Sequence, residues 1–303
     1  MQLLFCGSGW LDIVDLIAAR LPAGCALRTW DRTRSLAAEL AAAPVDVLLP
    51  SNGPVDAEAI AAAGPRLRLI QQPAAGTDAI DKAAAAARGI PVCNAPGANQ
   101  TAVAEAALLL LLLCARRWPL ARAAFERGAI GTPLGIELSG ARLIVVGAGK
   151  TGQALATRAV ALGMTVELLD SRTTRAERLA AFARADAVSL HVPLTPATTG
   201  LVDAEALAAL PAHALLVNVA RGPVIDRDAL SAALSRGHLG GVGLDVYWQE
   251  PWDPRDPLYA DPKVVTLPHV AGSTNQAFDA IAGIVVDNLE RLRRGDPLRH
   301  RVA

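Results

Sequence analysis

Apolar residues come in short consecutive runs, and alanine-rich stretches with helical spacing separate these runs along almost the whole chain. The runs are apolar at successive positions, which is typical of parallel strands that are covered on both faces. In the first third of the chain this pattern predicts five strands with helices between them, at Gln2–Gly7, Cys25–Trp30, Val45–Pro50, Leu67–Pro73 and Ile90–Asn94.

The alternation restarts after Pro96-Gly97, where a long helix is predicted from Gln100 to about Phe125. A last predicted helix, Asn275 to about Arg294, has no strand after it, so we expect the first unit to receive it. Two α/β domains, each a doubly wound parallel sheet, follow from this order of elements. The second domain has six predicted strands, at Arg142–Gly147, Thr165–Asp170, Ala187–Val192, Ala214–Ala220, Gly241–Val246 and Val264–Leu267.

Composition narrows the class of protein. A length of 303 residues suits two domains, and a hydrophobic fraction of 52% excludes a disordered chain. The 29 basic and 29 acidic residues cancel, so neither nucleic acid nor a membrane is an expected partner. Four cysteines lie far apart without metal-ligand spacing, which predicts reduced thiols, a cytoplasmic location and no metal site.

One strand-to-helix turn has the spacing of a dinucleotide site. Gly147, Gly149 and Gly152 form GxGxxG between an apolar strand and a helical stretch. Such glycines permit the tight turn, the approach of a pyrophosphate and close packing of the helix on the strand. Lys150 and Thr151 complete the turn and suggest a P-loop, but Ile144 stands where that motif needs its first glycine. The turn therefore predicts a dinucleotide cofactor.

Asp170 ends the next strand, where a carboxylate can accept hydrogen bonds from a ribose hydroxyl. Its charge favours NAD over NADP, although Ser171 and Arg172 leave NADP possible.

Three complementary side chains follow the later strands. Arg221, Glu250 and His269 each lie beyond the carboxyl end of a predicted strand, where ligands of open α/β sheets bind. An arginine can hold a carboxylate through two hydrogen bonds, and a carboxylate beside an imidazole favours its protonated form. Each residue also has a purely structural interpretation, as a surface cation, a loop carboxylate or a helix cap, but their convergence favours an active site.

Several motifs in order make the chain similar to the D-isomer-specific 2-hydroxyacid dehydrogenases. The similarity covers about residues 67–290 and includes Asn94–Asn99, Ala102–Glu105, the glycine turn, His191–Thr195, Asn218–Gly222, Leu244–Val246, Glu250-Pro251 and Pro268–Thr274. It implies a flavodoxin-like substrate domain of residues 1–97 with 277–303 and a Rossmann NAD-binding domain of residues 98–276. The helix after Asn99 resembles the element through which the family forms homodimers.

The resemblance also implies roles for individual residues. Arg221 would bind the substrate carboxylate and carbonyl, His269 would transfer the proton, and Glu250 would be its partner. In the turn Ala74–Asp78, the backbone of Ala75 and Gly76 would hold the substrate carboxylate. Residues expected to contact the cofactor are those of the glycine turn together with Asp170, Val192, Val219, Ala220 and Asp245.

The expected activity is the interconversion of a D-2-hydroxyacid and its 2-ketoacid with NAD(H), of the hydroxypyruvate or glyoxylate type. An NAD-sensing binding protein on the same scaffold, similar to the corepressors that resemble this family, is the alternative. Oxidation of formate or phosphite ranks last, because Ala74-Ala75-Gly76 offers no cationic side chain for an inorganic anion.

Overall fold

The computed structural model describes all 303 residues, and they form two compact units. Met1–Asn99 and Ser273–Ala303 make up the flanking unit, and Gln100–Gly272 make up the central unit. Each unit contains one parallel sheet, so the predicted fold class is confirmed. No helix in the chain combines the length and the apolar character that crossing a bilayer would require.

Eleven strands and twelve α-helices alternate along the chain. The strands are β1 (Gln2–Phe5), β2 (Ala26–Thr29), β3 (Val47–Leu49), β4 (Leu69–Gln71), β5 (Val92–Cys93), β6 (Arg142–Val146), β7 (Thr165–Leu169), β8 (Ala187–Leu190), β9 (Leu215–Asn218), β10 (Gly241–Leu244) and β11 (Val264–Thr266). The helices are α1 (Asp12–Ala18), α2 (Leu36–Ala42), α3 (Ala57–Ala62), α4 (Lys82–Ala87), α5 (Gln100–Ala115), α6 (Trp118–Glu126), α7 (Lys150–Ala161), α8 (Arg175–Phe182), α9 (Ala204–Ala209), α10 (Arg227–Ser235), α11 (Pro257–Ala260) and α12 (Asn275–Arg294).

The sheet of the flanking unit has the strand order β2-β1-β3-β4-β5, with every pair parallel. The order reverses between β1 and β3, and such a point is where ligands of open α/β sheets bind. β3 and β4 are buried at every residue, which explains why their sequences are apolar at consecutive positions.

The last helix, α12, belongs to the flanking unit and packs on α1. Its first turn is capped by Thr274, whose Oγ1 accepts the N–H of Ala277, and its last turn ends at Gly295 with a φ of 75°. The buried amide of Asn288 donates to Oε1 of Gln71 at the end of β4, 2.7 Å away. A hydrogen bond between two fully buried side chains thus fixes α12 on the sheet.

The sheet of the central unit has the order β11-β10-β9-β8-β6-β7, again parallel throughout. Along β6, Ile144 and Val146 enter one apolar cluster, whereas Leu143 and Val145 enter a second cluster that contains α5. Both faces of this strand are therefore buried. The order of strands reverses between β6 and β8, so the turn after β6 lies at the switch point.

The prediction of one long helix from Gln100 to Phe125 was wrong, because α5 ends at Ala115 and α6 begins at Trp118. Arg117 between them has a φ of 50°, and Pro119 in the first turn of α6 has no N–H to give to the carbonyl of Ala115. That carbonyl accepts the N–H of Ile136 at 2.9 Å instead.

Candidate active site

The three glycines of the turn after β6 differ in what a side chain at each position would contact. A Cβ on Gly147 would lie 2.5 Å from the carbonyl oxygen of His191, and a Cβ on Gly152 would lie 1.9 Å from the carbonyl oxygen of Gly147. A Cβ on Gly149 would meet nothing within 4 Å, and no side chain caps the start of α7 at this residue. The turn therefore offers open space over the uncapped N–H groups of a helix, an arrangement that suits a dinucleotide pyrophosphate.

Asp170 lies directly after β7 and is engaged by its own loop. Oδ2 of Asp170 lies 2.5 Å from Nη2 and 3.0 Å from Nε of Arg172, and Oδ1 accepts the Arg172 backbone N–H at 2.9 Å. The side-chain hydrogen bonds from Arg172 hold the pKa of Asp170 below its usual value. A carboxylate is thus available for a ribose, but a guanidinium that can approach a 2′-phosphate lies beside it.

Arg221 is held by a turn that the buried amide of Asn218 closes. Oδ1 of Asn218 accepts the N–H of Ala220 at 3.0 Å, and Nδ2 donates to the carbonyl of Arg221 at 2.9 Å. The next residue, Gly222, approaches another loop so closely that a Cβ would lie 2.1 Å from the carbonyl carbon of Tyr247. Sequence reasoning missed the role of Asn218, although a polar residue that ends a buried strand is a signal that could have revealed it.

Glu250 and His269 form a directly hydrogen-bonded pair. Nδ1 of His269 lies 2.7 Å from Oε2 of Glu250, and Oε1 of Glu250 accepts the N–H of Tyr247 at 3.1 Å. Burial opposes ionisation of Glu250, but the hydrogen bond from His269 and the nearby charge of Arg221 leave its pKa below the usual value. Glu250 is therefore a carboxylate at neutral pH, and it orients the imidazole through Nδ1.

The backbone of His269 is left-handed, with a φ of 53°, which is costly for a residue other than glycine. Asp245 binds the two residues that follow His269, because its Oδ1 accepts the N–H of Val270 at 2.8 Å and that of Ala271 at 3.1 Å. Asp245 is 1% exposed, and this burial raises its pKa to about 6. Its carboxylate thus anchors the turn that presents His269.

In the turn after β4 in the flanking unit, the backbone carbonyl groups accept hydrogen bonds from other residues of the protein. The carbonyls of Ala74, Ala75 and Gly76 accept hydrogen bonds from Ala95 N–H, from Asn94 Nδ2 and from Gln72 Nε2. No hydrogen bond within the protein uses the N–H groups of Ala75 and Gly76, so these two donors are available to an anion.

The other residues that are predicted to contact the cofactor lie at strand ends of the central sheet. Val219 and Ala220 are buried directly after β9, and Val192 is half-buried after β8. His191, to which we assign no chemistry, has Nε2 within 2.8 Å of Ser189 Oγ, and its burial lowers its pKa to about 4. His191 is therefore neutral at physiological pH.

Comparison with known proteins gives a consistent result. Residues 108–271 match the profile of the D-isomer specific 2-hydroxyacid dehydrogenase, NAD binding domain. The chain is 38% identical over 274 residues to a D-3-phosphoglycerate dehydrogenase of Mycobacterium bovis, covering 85% of this chain and 51% of that protein. It is also 38% identical to a glyoxylate reductase of Korarchaeum cryptofilum, covering 80% of this chain and 78% of that protein.

A solved structure of the TT0316 protein from Thermus thermophilus is similar over 100% of both chains, with 34% identity and a TM-score of 0.85. The chain therefore belongs to the D-isomer specific 2-hydroxyacid dehydrogenase family, and the glycine turn lies in the NAD-binding domain of that family. It spans about half the length of the D-3-phosphoglycerate dehydrogenases that it matches.

Proposed function

We propose that this protein is an NAD-dependent oxidoreductase that interconverts a D-2-hydroxyacid and the corresponding 2-ketoacid. The single observation that carries the proposal is the 2.7 Å hydrogen bond between His269 and Glu250, in the same unit as the glycine turn and Arg221. A proton donor, its carboxylate partner and a cation are the side chains that carbonyl reduction needs, and the family membership supports the same reaction.

NAD is the cofactor that the turn after β6 fits. Gly147, Gly149, Lys150, Thr151 and Gly152 would hold its pyrophosphate at the start of α7. Asp170 would accept hydrogen bonds from the adenosine ribose, whereas Val192, Val219, Ala220 and Asp245 would flank the rest of the molecule. Bound nicotinamide would supply or accept the hydride at C4.

In this proposal His269 transfers the proton, and Glu250 orients the imidazole ring of His269. During reduction the protonated imidazole donates a proton to the oxygen on C2 of the substrate, and during oxidation the neutral ring accepts it. Because Nδ1 is hydrogen-bonded to Glu250, the proton would be exchanged with the substrate through Nε2.

Arg221 binds the carboxylate of the substrate and stabilises the negative charge that develops on the C2 oxygen. Asn218 fixes the backbone of its turn, and Nη1 of Arg221 donates to the carbonyl of Ala220 at 2.7 Å, so the guanidinium is held before the substrate binds. The free N–H groups of Ala75 and Gly76 bind the same class of anion, a carboxylate, through the backbone.

Among 2-ketoacids, small substrates of the glyoxylate and hydroxypyruvate type are proposed first, since a glyoxylate reductase is among the relatives. The corepressor-like alternative, a binding protein that only senses NAD, is less well supported, because the hydrogen-bonded His269–Glu250 pair has no use in a protein that only binds the cofactor. Arg172, which contacts Asp170, would let the site accept NADP as well.

The substrate domain is proposed to comprise residues 1–97 with 277–303, and the NAD-binding domain residues 98–276. A homodimer is proposed because apolar side chains between α5 and β6 are unusually exposed, with Phe125 at 78%, Ile130 at 99% and Leu134 at 84%. A cytoplasmic location is proposed because all four cysteines are free thiols.

The proposal is tested by NADH oxidation with a panel of 2-ketoacids, namely glyoxylate, hydroxypyruvate and pyruvate, each repeated with NADPH. We expect turnover with at least one ketoacid, with glycolate as the product from glyoxylate and the D-hydroxyacid as the product from hydroxypyruvate or pyruvate. Tight NADH binding without turnover of any ketoacid would favour the NAD-sensing alternative.

A further inference from the structure

His269 lies in a turn that needs support from both sides. Its left-handed backbone is unfavourable for a residue with a side chain, and such a conformation persists only where the surrounding structure fixes it. The N–H of His269 donates to the carbonyl of Leu267 at 3.0 Å and closes a tight turn of three residues. After His269, Asp245 binds the N–H groups of Val270 and Ala271. The chain before His269 is fixed by a different side chain.

The hydroxyl of Tyr247 fixes the chain before His269. It donates to the carbonyl of Leu267 at 2.7 Å, so this one carbonyl accepts both the Tyr247 hydroxyl and the N–H of His269. The N–H of Leu267 donates in turn to the carbonyl of Leu244, the last residue of β10, at 2.8 Å. Both backbone polar groups of Leu267 are therefore paired, and the chain enters the turn of His269 from a fixed position.

The ring of Tyr247 is itself held in place. Tyr247 is 4% exposed, and its ring stacks on that of Trp252 with the centroids 4.3 Å apart. The ring of Tyr259 meets it edge-on at 5.3 Å, and both arrangements are favourable for aromatic pairs. Burial raises the pKa of the Tyr247 hydroxyl, so the hydroxyl keeps the proton that the carbonyl of Leu267 accepts. The donor is therefore preorganised.

Tyr247 also contacts the other two elements of the candidate active site. Its N–H donates to Oε1 of Glu250 at 3.1 Å, whereas His269 binds the other oxygen of that carboxylate. Its carbonyl group leaves no room for a Cβ on Gly222, the residue after Arg221. One residue thus touches the loops of all three proposed catalytic side chains, through its hydroxyl, its N–H and its carbonyl.

We propose that Tyr247 is a positioning residue for the proton transfer, and that its hydroxyl places the imidazole of His269 by way of the carbonyl of Leu267. The inference deepens the proposed function and rests on it. The contacts of Tyr247 with Glu250 and Gly222 are made by its backbone, so they do not depend on its side chain. Phenylalanine would keep the ring but release the turn at Leu267. A displacement of about 1 Å can slow a reaction on the order of 10²-fold, so the loss of this bond should be visible in the chemical step.

The test is the single-turnover rate of NADH oxidation in Tyr247→Phe, with whichever of glyoxylate, hydroxypyruvate and pyruvate wild type reduces fastest. We expect the rate to fall about tenfold, while KM for NADH changes less than about twofold, because the glycine turn is not altered. Tyr259→Phe is the matched control. It removes a hydroxyl from the same aromatic cluster, but this hydroxyl makes no hydrogen bond to Leu267, so the rate should not change.

A double-variant cycle separates the positioning of His269 from a general effect on the fold. In a His269→Ala background, Tyr247→Phe should change the residual rate less than about twofold, because no imidazole is left to position. An equal loss in the presence and in the absence of His269 would overturn the inference. A wild-type rate in Tyr247→Phe would overturn it as well.

Failure of wild type to reduce any ketoacid would count against the proposed function, and hydrogen–deuterium exchange then still tests Tyr247. The N–H groups of His269, Val270 and Ala271 should exchange at least about threefold faster in Tyr247→Phe than in wild type. Faster exchange at these positions that is absent from Tyr259→Phe would support the inference. Unchanged exchange at all three would overturn it.

Discussion

The Nδ1 atom of His269 lies 2.7 Å from Oε2 of Glu250, and the other carboxylate oxygen of Glu250 is held by the N–H of Tyr247. Both oxygens of the carboxylate are therefore occupied, and the imidazole cannot rotate without losing a charge-assisted hydrogen bond. The pair therefore orients the imidazole as a proton donor, and this is the first property that we would test.

Glu250→Gln should reduce kcat/KM for ketoacid reduction, because a neutral amide cannot form the charge-assisted hydrogen bond that orients the imidazole at Nδ1. Glu250→Ala removes the hydrogen bond altogether and should cost more. Steady-state kinetics of both variants and the wild type measure the effect. Full activity in both variants would contradict a role of Glu250 in orienting His269.

Arg221 is predicted to contribute both to binding and to chemistry. Arg221→Ala should lower kcat as well as raise KM for the ketoacid, with a loss of at least about 3 kcal/mol in kcat/KM. Arg221→Lys keeps the charge but not the planar geometry, so it should retain partial activity. An alanine variant that fails to bind NADH, measured by fluorescence, yet keeps kcat at saturating cofactor would place Arg221 in the cofactor site.

Gly222 allows the turn of Arg221 to approach Tyr247, where a Cβ would lie 2.1 Å from the carbonyl carbon. Gly222→Ala should therefore displace the turn, lower kcat/KM at least about tenfold and destabilise the fold by roughly 1–3 kcal/mol. Gly283→Ala in α12 is the matched control, because a Cβ there meets nothing within 4 Å. That control should be neutral or slightly stabilising, and similar losses in both variants would contradict the steric explanation.

The raised pKa of Asp245 predicts that the stability of the fold depends on pH. Burial raises its pKa to about 6, above its value in the unfolded chain, so the native state holds this proton more tightly than the unfolded state. Ionisation of Asp245 therefore destabilises the fold as pH rises from about 4 to 6. An asparagine at this position cannot ionise, so Asp245→Asn should gain roughly 1–3 kcal/mol relative to wild type between pH 4 and pH 7. Chemical denaturation of both proteins at several pH values measures the difference, and a constant difference would contradict the prediction.

The contact between Arg172 and Asp170 predicts a modest preference for NADH. Asp170→Ala should raise KM for NADH and narrow the preference over NADPH, because it removes a ribose acceptor and a charge that repels the 2′-phosphate. Arg172→Ala should have the opposite effect and sharpen the preference. KM values for both cofactors measure this balance, and a wild type that prefers NADPH tenfold would show that Arg172 determines the site.

The sequence was sufficient to predict the features that depend on local pattern. Strands such as β6, buried on both faces, appear as consecutive apolar residues, and the glycines at 147, 149 and 152 have the spacing of a known turn. The strand-end rule selected Arg221 and His269 without knowledge of any contact, because parallel strands bring their carboxyl ends to one edge.

Features that depend on contacts between distant residues could not be predicted. At the break between α5 and α6, the carbonyl of Ala115 accepts a hydrogen bond from the N–H of Ile136, which is distant in the sequence. The hydrogen bond from Asn218 to the carbonyl of Arg221 likewise depends on the three-dimensional placement of a side chain. The same is true of the close approach of Gly222 to Tyr247, which joins two loops. Hydrophobic periodicity carries no information about these contacts.

The central claim is that His269 transfers a proton during the reduction of a 2-ketoacid. It is tested most directly by single-turnover oxidation of NADH with the best ketoacid, in wild type and in His269→Ala. We predict that the variant binds NADH as well as wild type but reduces the ketoacid roughly 10²–10⁴-fold more slowly. Near-full turnover by His269→Ala would contradict the account.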